Sequence, residues 1–228
     1  MAANPSLDRV QRRVMFAMDF RDPVTRLPVT NDLRVAAEGL GAPVRAPSGL
    51  FVWFDLDPPA QRVIKVTAIS ASGRFADYEE VITAPEHVPN IPASSLCMPR
   101  TLRPTGLYEP PEGLTGVAGW LVEDEGMAPV AGAEVSIAFR HAGNQDFVSG
   151  YKAITDAGGG FVAVANDLGD VRPDPAPPRS DSDILAWLVV TRSAPPSRFT
   201  GFLPLRAGRL TRATTPLRWK DLQTMSPP

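Results

Sequence analysis

The chain has 228 residues and a formal net charge of −2, and 43% of its residues are hydrophobic. This composition is typical of a globular protein, and the near-neutral charge excludes a global field that would attract nucleic acid or a membrane surface. A single cysteine, Cys97, excludes an intramolecular disulfide, and the 18 glycines and 25 prolines favour short strands joined by many turns.

The first residues carry no pattern of a targeting or membrane-spanning segment. Residues 1–12 are predicted to be an N-terminal arm. The apolar run that follows, Val14–Met18, is too short for the core of a signal peptide and ends at Asp19. No apolar stretch in the sequence approaches the ~20 residues that cross a membrane. We therefore expect a cytoplasmic protein.

Residues 13–83 have the pattern of a first β-sandwich domain. Short apolar runs recur between turn signals, at 14–16, 33–37, 50–54 and 62–67. The run at 50–54 is apolar at both alternating sets of positions near its middle, a pattern that favours an interior strand. We therefore expect this strand to be central in its sheet.

A proline-rich stretch, residues 84–113, follows this domain. Its prolines are at positions 85, 89, 92, 99, 104, 110 and 111. Because proline lacks a backbone N–H and fixes φ, the stretch is excluded as a helix or a central strand, and we expect a semi-extended connector. Two interpretations stay open, a passive linker or a segment laid against a partner. Apolar residues suggest the second, and Leu107 and Tyr108 are its candidate partner-binding residues.

The most informative pattern lies in residues 114–161. A strand-like run leads to an acidic turn, to the step Pro129-Val130-Ala131-Gly132-Ala133, to a second alternating strand, and to Thr155-Asp156-Ala157-Gly158-Gly159-Gly160-Phe161. In this order the elements closely resemble the carboxypeptidase regulatory-like domain, a transthyretin-type β-sandwich. The resemblance implies such a sandwich over residues 114–212. It also implies a scaffold or interaction module, because that is what most members of the family are.

The two halves of the chain resemble each other. Pro28-Val29 corresponds to Pro129-Val130 at an offset of 101 residues, and Phe51 corresponds to Phe161 at an offset of 110. The growing offset predicts two insertions in the second copy, near 141–150 and at 168–183. We therefore predict an all-β fold of two tandem transthyretin-like or immunoglobulin-like sandwiches joined by the proline-rich connector.

The C-terminal tail, residues 213–228, is a small amphipathic cluster after the last expected strand. Either its Trp219 packs on its own domain, or the tail anchors a neighbouring subunit. Basic residues dominate from Arg198 onward, so this region is either a set of solvated strand faces or a basic face that docks on an acidic partner. The candidate partner-binding residues of the tail are Leu217, Arg218, Trp219, Lys220 and Leu222.

No constellation of residues for catalysis or metal binding stands out. His87, His141 and Cys97 lack the spacing of zinc ligands. Gly158-Gly159-Gly160 precedes a strand, whereas a phosphate-binding loop opens a helix, so we expect a hairpin turn there. Intervening prolines and a missing Asp-x-Asp-x-Asp-Gly order disfavour a calcium loop among Asp167, Asp170, Asp174, Asp181 and Asp183. We expect no enzyme activity, no cofactor and no metal.

The expected function is that of a non-catalytic structural or interaction protein. We expect an accessory subunit of a larger complex assembled inside the cell, such as a phage-tail-like or contractile injection particle. Its partners would be proteins, with a homo-oligomer left open, and no feature favours nucleic acid or membrane insertion. A carbohydrate- or peptide-binding module is the alternative, although its candidate aromatics, Trp53, Trp120 and Trp187, lie in strand patterns typical of core residues. A transthyretin-like enzyme is the third hypothesis.

Overall fold

The structure is a computed structural model, and it describes residues 13–55, 62–84, 92–124, 126–140, 146–165, 183–192 and 196–224. These residues form seventeen strands and two short 3-10 turns, Ala93–Leu96 and Trp219–Asp221. The prediction of an all-β fold is confirmed. The chain divides into two compact units: unit 1 takes the described residues of 1–21, 27–69 and 77–101, and unit 2 takes those of 22–26, 70–76 and 102–228.

Unit 1 contains two sheets. Its strands are β1 (Arg13–Arg21), β2 (Leu33–Ala37), β3 (Val44–Arg45), β4 (Phe51–Asp55), β5 (Arg62–Ser70), β6 (Tyr78–Ala84) and β7 (Cys97–Thr101). One sheet has the order β3-β4-β1-β7 and the other has the order β2-β5-β6. β4 is antiparallel to β1, and β6 is antiparallel to β5, whereas β7 runs parallel to β1.

The core of unit 1 is built by alternating residues of these strands. Phe16, Met18 and Phe20 share one face of β1, and none of them has exposed surface. The ring of Phe16 stacks on Trp53 with centroids 4.7 Å apart, and Phe20 meets Phe51 edge-on at 5.9 Å. Since β4 lies between β3 and β1, the prediction of a central strand at 50–54 is confirmed.

β7 lies inside the stretch that the sequence predicts to be a connector. It is the edge strand of its sheet, with Pro99 opposite Asp19, and an edge strand tolerates a proline because not every N–H is needed there. Arg100 of β7 donates from Nε and Nη2 to the carboxylate of Glu80 on β6 at 2.6 and 2.8 Å. It also donates to the hydroxyl of Tyr78 at 3.1 Å. One side chain therefore links the two sheets of unit 1.

Unit 2 also contains two sheets. Its strands are β8 (Thr115–Val122), β9 (Glu134–Arg140), β10 (Asp146–Val148), β11 (Ala153–Ile154), β12 (Gly160–Ala165), β13 (Asp183–Thr191), β14 (Arg198–Phe199), β15 (Leu203–Arg206), β16 (Leu210–Arg212) and β17 (Leu217–Arg218). One sheet has the order β10-β9-β13-β14, with β11 also on β9 and β15 also on β13. The other has the order β12-β8-β16, with β17 also on β8. Leucine, valine, isoleucine and phenylalanine side chains from both sheets form one core.

The pattern of residues 114–161 forms one hydrogen-bonded network. The N–H of Val130 donates to the carbonyl of Leu121 at 2.9 Å, and the N–H of Leu121 donates to the carbonyl of Gly159 at 2.8 Å. Thr155 pairs with Ala133 through its backbone N–H at 2.9 Å, and its hydroxyl oxygen accepts the N–H of Ala133 at 2.8 Å. The segment Pro129–Ala133, which follows β8, is thereby hydrogen-bonded both to β8 and to the turn that precedes β12.

Asp156 and Gly159 close that turn. Oδ1 of Asp156 accepts the N–H groups of Gly158 and Gly160 at 2.8 and 2.9 Å. Gly159 has a φ of +76°, and a β-carbon at this position would overlap the carbonyl oxygen of Leu121. Only glycine meets both conditions without strain. These glycines form a tight turn, but the prediction of a hairpin is wrong, because the strands on either side of the turn belong to different sheets, β11 pairing with β9 and β12 with β8.

Unit 1 repeats these hydrogen bonds at the predicted offsets. The N–H of Val29 donates to the carbonyl of Phe20 at 2.8 Å, as Val130 does to Leu121, 101 residues further along. In the turn before β4, Ala46 donates to the carbonyl of Leu50, and Gly49 donates to the carbonyl of Ala46. These two bonds recur in the turn before β12 at the offset of 110 residues. The strand after each turn pairs antiparallel with the first strand of its unit, β4 with β1 and β12 with β8.

Candidate functional site

The C-terminal segment, residues 216–223, connects the two sheets of unit 2. Its strand β17 pairs in parallel with Leu121 and Val122 of β8. After the 3-10 turn Trp219–Asp221, Gln223 exchanges two backbone hydrogen bonds with Phe199 of β14, at 2.9 and 2.8 Å. Because β8 and β14 belong to different sheets, this segment is part of the architecture of unit 2.

The side chains of the C-terminal segment alternate between the core and the surface. Leu222 is 6% exposed and belongs to the core, and Leu217 packs partly buried against it. Arg218 and Lys220 are exposed, and the backbone N–H of Lys220 donates to Oδ1 of Asp124 at 3.0 Å. Of the five predicted partner-binding residues of the tail, Leu217 and Leu222 therefore hold the segment in place, whereas Arg218 and Lys220 lie at the surface.

Trp219 lies between two arginines in what we term the arginine stack, formed by Arg192, Trp219 and Arg198. The guanidinium carbons are 4.2 and 4.4 Å from the centre of its ring, within the range of cation–π attraction. Arg198 also donates from Nη1 to the backbone carbonyl of Trp219 at 2.8 Å, and Arg192 forms an ion pair with Glu123. Trp219 thus packs on its own unit, the first of the two alternatives left open by the sequence.

An open cleft adjoins the arginine stack. Its volume is about 280 Å³, and Glu123, Arg192 and the step Pro129–Ala133 line it. Glu123 and Arg192 form an ion pair with each other, so the charges of these two lining residues compensate each other. The cleft has room for a small polar group. Residues 123 and 192 were not among the residues predicted from the sequence, because they are 69 residues apart and directly follow β8 and β13, which belong to different sheets.

The second predicted site, Leu107 and Tyr108, lies on a different part of unit 2. Leu107 is 59% exposed, whereas Tyr108 is 3% exposed. The hydroxyl of Tyr108 donates to the carboxylate of Asp22, with its oxygen 2.9 and 3.0 Å from Oδ1 and Oδ2. Burial raises the pKa of Tyr108 far above its ordinary value, and the neighbouring carboxylate raises it further. Of these two candidates, Leu107 is available at the surface and Tyr108 is a structural residue.

The three tryptophans considered for ligand binding differ in exposure. Trp53 and Trp187 are 2% and 1% exposed, so their interpretation as core residues is confirmed. For Trp120 the same interpretation is wrong, since its side chain is 37% exposed. Trp120 lies on β8 opposite Gly160, which has no side chain to cover it. Trp120 is thus the candidate aromatic that could contact a ligand.

Residues with metal-binding or nucleophilic chemistry are sparse in the described part of the chain. Among those residues, no group of three or more His, Cys, Asp and Glu could hold a metal ion. Burial raises the pKa of the Cys97 thiol, and the Asp19 carboxylate adds to this rise, whereas a nucleophilic cysteine needs a lowered pKa. Asp183 is the first residue of β13. The remaining residues considered for metal binding lie outside the described residues, namely His87, His141, Asp167, Asp170, Asp174 and Asp181.

No helix within the described ranges has the length and apolar character that a membrane span requires. In comparisons with known proteins, no family model, no curated protein and no solved structure matches this chain.

Proposed function

We propose that this protein is a non-catalytic interaction protein, an accessory subunit of a larger assembly formed inside the cell. A phage-tail-like or contractile injection particle is the kind of assembly that fits best, because such particles use small β-sandwich proteins as accessory parts. The proposal includes a fold of two tandem transthyretin-like sandwiches, with the second related to the carboxypeptidase regulatory-like domain. The repeated hydrogen bonds at offsets of 101 and 110 residues support that duplication.

One observation carries the proposal, namely how the C-terminal segment is built into unit 2. Its backbone is fixed on both sheets by β17 and by the pairing of Gln223 with Phe199, while Arg218 and Lys220 stay exposed. A fixed backbone lowers the conformational entropy that is lost when a partner binds. Two exposed basic side chains on a backbone that is hydrogen-bonded at both ends are suited to recognition of another protein.

The proposal is tested by isolating the tagged protein from its native cells and measuring the mass of its complexes by light scattering. We expect a complex much heavier than one chain, and we expect the double variant Arg218→Glu, Lys220→Glu to reduce its yield by charge reversal. Arg34→Glu, a charge reversal on an exposed position of β2, is the matched control. A stable monomer that brings down no large complex contradicts the proposal.

A carbohydrate- or peptide-binding module is the second candidate, and the exposure of Trp120 favours it. An aromatic ring on a sheet face can stack on a sugar ring, and Trp120 is the one of the three candidate tryptophans with such exposure. Binding to a glycan array that disappears in Trp120→Ala, with the assembly unchanged, would favour this function. An unchanged array signal in the variant would exclude Trp120 as the ligand contact.

A further inference from the structure

Trp120 lies on the face of β8 that is turned away from the core of unit 2. On this strand Trp120 alternates with Gly119 and Leu121. Leu121 belongs to the core, and a β-carbon at Gly119 would meet the ring of Phe161, another core residue. Since successive side chains of a strand point to opposite faces of the sheet, the side chain of Trp120 points outward.

Two arginines of the neighbouring strands share this outward face. Arg212 of β16 is paired in register with Ala118, and Arg218 of β17 is paired in register with Val122. Paired residues place their side chains on the same face of a sheet, and Ala118 and Val122 lie two positions before and after Trp120. Both arginines are exposed. We term the surface formed by Trp120, Arg212 and Arg218 the Trp120 platform.

The spacing of the sheet brings the three side chains within reach of one ligand. Each arginine is a diagonal neighbour of Trp120, one strand across and two residues along. Such diagonal neighbours are roughly 7–8 Å apart, a distance over which long and aromatic side chains can act together. A small ligand that lies on Trp120 can therefore meet a guanidinium at either end of its ring.

The indole ring of Trp120 is available for stacking. Its side chain is 37% exposed, and its partner on β12 is Gly160, which has no side chain to lie over the ring. Among the described residues, no aromatic ring or guanidinium stacks on Trp120. Trp120 also lines neither the cleft beside the arginine stack nor the smaller apolar cavity of unit 2. The ring is therefore part of an open sheet surface and not the wall of a pocket.

The two arginines of the platform carry charges that no neighbour compensates. In the part of the chain that the structure describes, neither Arg212 nor Arg218 forms an ion pair with an acidic side chain. Asp124, two residues after Val122, accepts the backbone N–H of Lys220 at 3.0 Å. Both guanidinium groups can therefore donate to an incoming anion.

We propose that the Trp120 platform binds an acidic saccharide, whose sugar ring stacks on Trp120 and whose carboxylate accepts hydrogen bonds from Arg212 or Arg218. This inference rests on the second candidate function, carbohydrate binding, and names the class of sugar. A flat, open aromatic ring suits another ring, whereas an apolar side chain of a protein partner is anchored in a pocket. The guanidinium groups favour a sugar with a carboxylate over a neutral one.

The test uses isothermal titration calorimetry with short oligomers of galacturonate, glucuronate and mannuronate, each compared with its own methyl ester. The ester keeps the sugar ring and removes the negative charge. We expect saturable binding of at least one acidic oligomer, about fivefold tighter than binding of its ester, as for one solvent-exposed charge pair. Added salt should reduce this difference, because salt screens exposed charges.

Protein variants separate the aromatic ring from the arginines. Trp120→Ala should weaken the acidic oligomer and its ester alike, by about tenfold, because both stack on the ring. The double variant Arg212→Gln, Arg218→Gln should weaken the acidic oligomer to the level of its ester and leave the ester unchanged. Arg34→Gln, on an exposed position of β2, is the matched control and should change neither. Circular dichroism checks that each variant folds.

Different results would overturn the inference and the function on which it rests. Esters that bind as tightly as their acids, with binding lost in Trp120→Ala, overturn the acidic class and leave carbohydrate binding in place. The same holds if the double arginine variant binds the acidic oligomer as the parent does. No binding of any oligomer, together with a blank glycan array, overturns carbohydrate binding itself. Tighter binding of a single-stranded oligonucleotide or of a glutamate-rich peptide than of every uronate oligomer also overturns the inference.

Discussion

The hydroxyl of Tyr108 donates to the carboxylate of Asp22, 86 residues earlier in the chain. The same carboxylate accepts the backbone N–H groups of Val24 and Thr25 at 2.7 and 3.0 Å, so it organises its own turn while it receives the tyrosine. Thr105 adds a bond from its hydroxyl to the carbonyl of Gly73 at 2.6 Å. Three segments that are distant in sequence, 22–26, 70–76 and 102–108, are therefore held together within unit 2.

Tyr108→Phe is expected to destabilise the protein by about 1–3 kcal/mol. The variant keeps the buried ring but removes the donor to a charged carboxylate. Urea unfolding measures the loss. Leu107→Ala is the control, because this neighbouring side chain is 59% exposed and its removal should change stability by less than about 0.5 kcal/mol. Equal effects of the two changes would contradict the role assigned to the Asp22–Tyr108 bond.

Gly159→Ala should cost clearly more stability than Gly132→Ala. Both glycines have positive φ, +76° and +74°, so each substitution carries backbone strain of about 1–2 kcal/mol. At Gly132 the new methyl group would meet open space, whereas at Gly159 it would overlap the carbonyl of Leu121. Thermal unfolding measures the melting temperatures of the two variants. Gly132→Ala shows the effect of backbone strain alone, and Gly159→Ala shows the effect of strain and overlap together. Equal melting temperatures would show that the turn can shift away from β8.

The C-terminal segment should behave as part of the core of unit 2. Leu222 is 6% exposed, so Leu222→Ala is expected to cost about 2–4 kcal/mol in unfolding free energy. Arg218→Ala, in the same segment but exposed, should change stability by less than about 0.5 kcal/mol. Chemical denaturation measures both. For the same reason, deletion of residues 213–228 would remove a surface and destabilise unit 2 at the same time. Point variants therefore test binding more clearly than this deletion does.

The arginine stack should give a measurable coupling between Trp219 and Arg198. In a double-mutant cycle with Trp219→Leu and Arg198→Met, we expect an interaction energy of about 0.5–1 kcal/mol, as for a solvent-accessible cation–π pair. A second cycle that pairs Trp219→Leu with Arg212→Met serves as the control, and its coupling should be near zero. Additive effects in the first cycle would contradict the stack.

Tyr78 should contribute a dependence of stability on alkaline pH. Burial, followed by its hydrogen bond to Glu80, raises the pKa of Tyr78 from 10.0 to about 12. Since the folded-state pKa is the higher one, this contribution is fully present below pH 10 and is lost as the pH rises through about 12. Unfolding free energies over this range should fall more steeply for the parent than for Tyr78→Phe. The same slope in both proteins would contradict the shift.

Turns and local pairings could be predicted from the sequence because glycine and proline act locally. Gly49 and Gly159 mark the same turn in the two units, and each has positive φ where a side chain would meet a neighbour. The matching of Pro28 with Pro129 is explained by the same geometry, since each proline contacts the glycine of its own turn. These positions are constrained by the backbone itself, so a single sequence reveals them.

Contacts between distant segments could not be predicted in the same way. β7 has few strand-favouring residues. It forms a strand because it pairs with β1, which is distant in the sequence, and no local pattern predicts that pairing. The arginine stack likewise joins the residue that follows β13, a residue of β14 and the C-terminal segment, and no local pattern encodes it. The alternation of side chains along a strand places Trp120 and Val122 on the same face of β8. This alternation does not predict that Val122 is buried whereas Trp120 is exposed.

The position of β17 has a consequence for how the protein is made. β8 begins at Thr115, yet the core it helps to form is completed by Leu222. At synthesis rates of about 5–20 residues per second, the ribosome needs roughly 5–20 s to add the chain between these two residues. During that interval one edge of β8 lacks its pairing partners, β16 and β17. Unit 2 can therefore complete its fold only after residue 222 has left the ribosomal exit tunnel, and until then β8 has an open edge of the kind through which strands aggregate.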